Sequence, residues 1–317
     1  MNRFKPLISL LLIFIGAPLL AALVSPWVYM AIQSRAPEVL QWVQESEAAG
    51  TNLLWADLAD SVFDSPYRRV NDRCVLIAVL ILLVPAYRMS GLKGRADFGI
   101  PKRNDWLRLF GFGLIVAAAS MLVTYLIGLF AGVYGPAELD GGLAGDLVKI
   151  IIGALLIGII EEILFRGYIL TALRRSLGPV AAVLLSSALF AVVHFIKPAE
   201  PATVGWTSGF QLFGNLFAKA GDTFWPEVCT LFCMGTVLAT LSHWTRSVYL
   251  AIGLHAGWVW IMMLFRLFTE NQGRLVWLYG PGEWISKGWI GPIMALIVWA
   301  AVFATRKKWM ALGRESG

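Results

Sequence analysis

Residues 147–173 read LVKIIIGALLIGIIEEILFRGYILTAL. As an α-helix at 1.5 Å per residue the stretch is about 40 Å long, enough to cross a hydrocarbon layer about 30 Å thick. Two adjacent carboxylates, Glu161 and Glu162, and a guanidinium, Arg166, interrupt the otherwise apolar run that follows Lys149. Ionised groups at bilayer depth cost about 2.5–3.5 kcal/mol each on insertion scales, and they normally face a bundle interior for a functional reason. The segment therefore reads as a membrane helix that carries chemistry.

The rest of the chain has the same character. Its 317 residues are 58% hydrophobic and 15% charged, where soluble domains run near about 45–50% and 25%, and the mean hydropathy is +0.70. Soluble globular, disordered and disulfide-rich secreted classes are excluded. The expected fold is an all-α polytopic membrane protein of about eight transmembrane helices, at roughly 7–31, 74–90, 109–134, 147–173, 179–196, 227–245, 247–268 and 289–305. Three regions follow: an N-terminal membrane region 1–146 with three spans and an external segment 33–73, a helical core 147–268, and a C-terminal span with a basic tail, 269–317.

Eight spans put both termini on one side. If that side is the cytoplasm, its segments collect sixteen of the 26 basic residues, among them Arg88, Lys93, Arg174, Arg175, Arg246 and Lys307. The opposite segments hold fifteen of the 20 acids, including Glu38, Asp57, Asp140 and Asp146. This is the positive-inside asymmetry, so both termini are expected to be cytoplasmic. The net charge of +6 then records topology, and no nucleic-acid partner is expected.

The first segment has Arg3 and Lys5 ahead of an apolar run, as a signal peptide does, but the run continues to Ile32. A signal core spans about 7–15 residues, so an uncleaved anchor with a kink at Pro18 is expected. Residues 33–73, with Trp42, Trp55 and Phe63 among acids, read as an interfacial helix or small cap. Residues 200–226, with Trp206, Phe210, Phe213, Phe217 and Trp225, read as an amphipathic segment on the outer membrane surface. Cys229 and Cys233 read as buried packing thiols.

Helical geometry separates the two glutamates. Glu162 and Arg166 stand at i and i+4 with the acid first, the favourable order for an ion pair, while Glu161 points about 100° away without a local partner. A carboxylate in a poorly solvated bundle beside a second carboxylate suits a general base near neutral pH. Imidazoles break the apolar rule twice more, at His194 in Phe190-Ala-Val-Val-His194 and at His255 in Gly253-Leu-His255-Ala-Gly257. Counted from the inner helix ends, Glu161 lies about 20 Å deep, His194 about 24 Å and His255 about 14 Å, so with tilt the three can share one layer. His243 sits about 5 Å from the inner boundary by the same rise and reads as interfacial. Gly253 and Gly257 allow another helix to approach on the face opposite the His255 imidazole.

These residues resemble the CAAX protease and bacteriocin-processing family of intramembrane endopeptidases (CPBP, or Abi). The resemblance runs from about Ile150 to Met262. Glu161-Glu162-xxx-Arg166 is similar to the family's paired-glutamate motif, Phe190-xxx-His194 to its second and His255 to the start of its third. Phe165-Arg166-Gly167, Leu173-Arg174-Arg175 and Gly178-Pro179-Val180-Ala181 are similar to the usual connection. The resemblance implies a hydrolase in which Glu161 activates water with help from His194, His255 stabilises the oxyanion, and Glu162, Arg166 and Phe190 support the geometry. It implies a membrane-associated peptide or protein substrate and an integral membrane location, in a bacterial inner membrane.

One position departs from the family. Its third motif has Asn or Asp four residues after the histidine, where this chain has Val259, which neither donates a hydrogen bond nor ligates metal. Another group fills that role, or His255 acts alone, or hydrolysis has been lost and the chain is a noncatalytic scaffold or chaperone of the same fold. A proton-coupled transporter using the buried acids as a relay is a third class. Glu161, His194 and His255 are ligand types sufficient for a catalytic zinc, but no His-Glu-xx-His helix is present, and the resemblance allows a glutamate mechanism with no cofactor, which is the expectation.

Overall fold

The computed structural model describes residues 5–138, 143–196, 200–214 and 221–315. Long apolar segments satisfy their backbone polar groups internally as helices, and the result is an all-α, polytopic membrane fold. Among the described residues its sheet is limited to β1 (Tyr134–Pro136) paired antiparallel with β2 (Thr269–Asn271). Among the described residues five helices are long and apolar enough to cross a membrane. The number is six if Ile290–Ala304 and Arg306–Arg314, bent by 63°, form one span. The expectation of about eight counted two further helices, one holding the glutamates and one ending at His194. The latter, Pro179–Val193, is about 22 Å long and falls short of the hydrocarbon thickness.

The chain forms two compact units, one from the described residues of 7–91 and 195–219, the other from those of 1–6, 92–194 and 220–317. Helix α1 runs unbroken over Lys5–Ala48, its residues from Leu7 onward in the first unit. The chain widens into a π turn at Leu12–Gly16, just where Pro18 offers no N–H to the preceding turn. Residues 33–48, expected as part of a separate external segment, instead continue this helix, followed by α2 (Leu53–Phe63) and α3 (Tyr67–Ser90). The Ser25 hydroxyl binds Tyr67 Oη at 2.8 Å and donates to Asn71 Oδ1 at 2.9 Å, tying α1 to α3 through buried polar groups. Ser208–Gly214 forms a short helix that carries exposed Phe210, with exposed Trp206 just before it. Phe217 lies outside the described residues.

The second unit holds α4 (Trp106–Phe130), α5 (Leu143–Glu162), α6 (Leu170–Leu177), α7 (Pro179–Val193), α8 (Phe224–Thr245) and α9 (Tyr249–Phe268). Its buried core includes Leu109, Met121 and Tyr125 from α4, Leu238 and Leu241 from α8, and Leu250, Leu254 and Trp258 from α9. The glycine spacing in α9 does what the sequence suggests. A Cβ on Gly257 would lie 2.7 Å from Ala117 Cβ and 2.8 Å from Leu114 O, and one on Gly253 would collide with the Phe110 carbonyl. Glycine thus lets α4 lie backbone to backbone on one face of α9. On another face Gly158 of α5 approaches Ala256, with 3.1 Å from a built Cβ to the Ala256 methyl. Cys74, Cys229 and Cys233 are free and half-buried.

Candidate functional site

Between α5 and α6 the helix widens into a π stretch over Ile163–Ile169, a distortion common where side chains are re-aimed for function. The reason for its place is visible in the packing. A Cβ on Gly167 would sit 2.7 Å from the Phe98 carbonyl, so only a bare backbone accommodates the 3₁₀ turn Arg95–Phe98 there. Ser186 of α7 donates to the Phe165 carbonyl at 3.3 Å, and so supplies a partner where the bonding pattern changes.

Glu162 and Arg166 pair as their spacing implies, Arg166 Nη1 donating to Glu162 Oε1 at 2.8 Å with both side chains fully buried. Burying such a pair is costly unless further hydrogen bonds satisfy it, and two long-range contacts do so in part, leaving Glu162 Oε2 and Arg166 Nε without a partner among the described residues. Arg166 Nη2 donates to the Gly235 carbonyl at 3.3 Å, and His255 Nδ1 lies 2.9 Å from Glu162 Oε1. The guanidinium carbon stands 4.4 Å from the Phe190 ring centroid, within cation–π range. Phe190 also meets Phe165 edge-on at 5.2 Å, His194 at 4.7 Å and His255 at 5.9 Å between centroids.

Glu161 stands apart from this clamp. Its Oε2 has no hydrogen-bond partner among the described residues. It lies 3.8 Å from His194 Nε2 and 3.9 Å from His255 Nε2. The Glu161 and His194 side chains are 28% and 31% exposed, whereas His255 is 9% exposed. Each imidazole is oriented by its other nitrogen: His194 Nδ1 lies 2.7 Å from the Phe190 carbonyl, so it must be the protonated nitrogen, and His255 Nδ1 faces the Glu162 carboxylate.

The structure therefore brings together Glu161, Glu162, Arg166, Phe190, His194 and His255, drawn from α5, the π stretch, α7 and α9. His243 is elsewhere, on the wall of a cavity with Arg174 and Arg246. Val259 is half-buried, and among the described residues no asparagine or aspartate hydrogen-bonds to Glu161, His194 or His255. Sequence reasoning missed the Gly235 carbonyl. Its glycine was the available signal, since a Cβ there would stand 3.2 Å from Ser187 Cα and 3.4 Å from the Phe190 ring.

A tetrahedral zinc with bonds of about 2.0–2.1 Å would set its ligand atoms about 3.4 Å apart. The Glu161 oxygen and the imidazole nitrogens stand farther apart, at 3.8 and 3.9 Å. Among the described residues no group of three or more His, Cys, Asp or Glu side chains is placed to hold a metal ion. As arranged, these donors are spaced more widely than a bound zinc would hold them.

Residues 143–261 match the family model described as Rce1-like, type II CAAX prenyl endopeptidase. That segment is similar to the Rce1-like domain of type II CAAX prenyl endopeptidases, a likeness that indicates a protease, a hydrolase. The match ends within α9 and contains all six residues of the site. No curated protein and no solved structure matches the chain.

Proposed function

We propose that the chain is an intramembrane endopeptidase that hydrolyses a peptide bond of a membrane-associated peptide or protein without a bound metal, Glu161 activating the attacking water. One observation carries this reading: the unpartnered Glu161 oxygen faces two imidazole Nε2 atoms inside a segment that matches membrane endopeptidases. Separations of 3.8 and 3.9 Å are too long for direct hydrogen bonds, and they suit a water bonded to both groups.

The proton count assigns the roles. His194 donates Nδ1–H to the Phe190 carbonyl, so its neutral ring presents the Nε2 lone pair towards Glu161. Glu161 and His194 thus both accept from the water, and Glu161 takes the proton as the oxygen attacks the carbonyl. His255 donates Nδ1–H to Glu162. To donate from Nε2 to the developing oxyanion it must carry both protons, and the Glu162 carboxylate stabilises that imidazolium. Such donation supplies the charge stabilisation that acyl transfer requires. Arg166 and Phe190 position Glu162 and the two rings. The charge asymmetry supports termini on the cytoplasmic side, and the family resemblance supports a bacterial inner membrane.

The test compares membrane-protein termini by mass spectrometry in cells lacking the protein and complemented with wild type or Glu161→Gln at matched expression. New termini with wild type only are expected. Val259 favours a second reading, a noncatalytic scaffold holding a partner protein. It is adopted if both forms give the same termini while both rescue the deletion phenotype.

A further inference from the structure

The second unit contains a cavity of about 470 Å³ at the end where α6, α7, α8 and α9 meet. Four arginines line it, Arg166, Arg174, Arg175 and Arg246, against one acid, Asp97. Asp97 is bound by Arg175 at 2.9 Å, and Arg166 is paired with Glu162. Arg174 and Arg246 therefore bring positive charge that no carboxylate among the described lining residues compensates. Burial first, and then the charges of Arg246 and Arg175, oppose the ionised form of Arg174.

The same wall carries polar atoms in want of a partner. Arg166 Nε, Ser242 Oγ and His243 Nδ1 are buried and make no hydrogen bond among the described residues. Arg166 is 2% exposed and Ser242 6%. A buried donor left unsatisfied costs about 1–3 kcal/mol, so unmet donors and unmet cations lining one cavity mark a place for a ligand with several acceptor oxygens and negative charge. Guanidinium groups hold phosphate oxygens in a planar fork. The orientation expected from the sequence's charge asymmetry puts Arg174 and Arg246 at the cytoplasmic boundary, the level of lipid headgroups.

We infer that this cavity is a binding site for a phosphate-class oxyanion, contributed either by a phospholipid headgroup or by a free phosphate. Arg174 and Arg246 hold the charge, and Ser242, His243 and the Arg166 Nε–H line the inner wall. The inference rests on the cavity alone and stands or falls independently of the peptidase reading.

The experiment uses the full chain in a neutral maltoside detergent, with thermal unfolding as the readout and sodium chloride at matched ionic strength as the control. One arm titrates inorganic phosphate, the other phosphatidylglycerol mixed into the micelles. The expected result is a saturable rise of the unfolding midpoint in at least one arm. Binding should weaken at least about tenfold, the loss expected from removing charge-assisted hydrogen bonds, in Arg174→Gln/Arg246→Gln. It should be kept in Arg306→Gln/Lys307→Gln, which loses the same charge on an exposed helix away from the cavity. A rise with lipid only assigns the headgroup as the source; a rise with phosphate shows that the free anion enters. Neutralising the pair relieves repulsion, so the unliganded variant should fold; if it does not, Arg174→Lys, which keeps the charge and loses the fork, should bind measurably more weakly. No rise in either arm, meaning the cavity holds water only, or equal binding in the cavity variant and wild type, overturns the inference.

Discussion

Replacing Arg166 with methionine tests the internal logic of the site most severely. The substitution keeps length and apolar bulk and removes one charge from a pair whose side chains are both 0% exposed. Glu162 then keeps His255 at 2.9 Å as its partner, with Oε2 already lacking a hydrogen bond among the described residues. Removing one partner of a buried pair typically costs about 3–5 kcal/mol because the other charge is left stranded. Glu162→Gln alone strands the guanidinium, which keeps the Gly235 carbonyl and the Phe190 face. The double variant strands no charge, so it should cost less than the sum of the single losses by about 2 kcal/mol or more. Equilibrium unfolding of wild type, both single variants and the double variant in mixed micelles closes the cycle. If Arg166→Met lies within about 0.5 kcal/mol of wild type, or the losses simply add, then Glu162 is not held as a buried charge. The explanation of how His255 is oriented would fail with it.

Three further outcomes follow from particular contacts. Gly253→Ala drives a methyl into the Phe110 carbonyl, so α4 and α9 must part at a cost of about 1–3 kcal/mol; a variant with unchanged unfolding midpoint and turnover would show that the helices do not pack backbone to backbone. Val259→Asn adds a donor one turn from His255, and if the imidazole acts alone on the oxyanion, turnover of a cleaved substrate should rise, by up to about tenfold; equal or lower turnover would show that no donor is missing. Asp105 is held by Arg103 through bonds of 2.6 and 2.8 Å, and these hold its carboxyl below the usual value against the opposing effect of burial. A lowered folded-state value stabilises the protein above the unfolded value near about 3.9 and is lost as pH falls through the folded one. The wild type should therefore exceed Asp105→Asn in stability at pH 7, by no more than about 1 kcal/mol for a partly exposed pair, and the difference should vanish by about pH 2; a pH-independent difference would refute the linkage.

Much of the site was legible before any coordinate. The four-residue step from Glu162 to Arg166 fixes a shared helical face, and helical rise with an allowance for tilt let Glu161, His194 and His255 share one layer. Gly253 and Gly257 announced the close helix, which the structure identifies as α4. Less legible were lengths and junctions. The first helix runs on to Ala48 through Pro26 and Pro37, because two internal prolines each remove one hydrogen bond without dictating where packing ends a helix. The helix before His194 stops after 15 residues, which hydropathy alone could not distinguish from a full span.

The sequence by itself determined a polytopic helical membrane protein and the residue types of one polar layer, because apolar length and helical period act locally along the chain. Only the tertiary structure decided which partners meet. His255 reaches Glu162 across 93 positions and the Gly235 carbonyl reaches Arg166 across 69. Phe190 stands among the guanidinium and both imidazoles, and the π stretch forms where Gly167 meets the Phe98 carbonyl. Those choices follow from the close packing of separate helices and from the need of buried charges for hydrogen bonds, and neither is written in any local window of sequence.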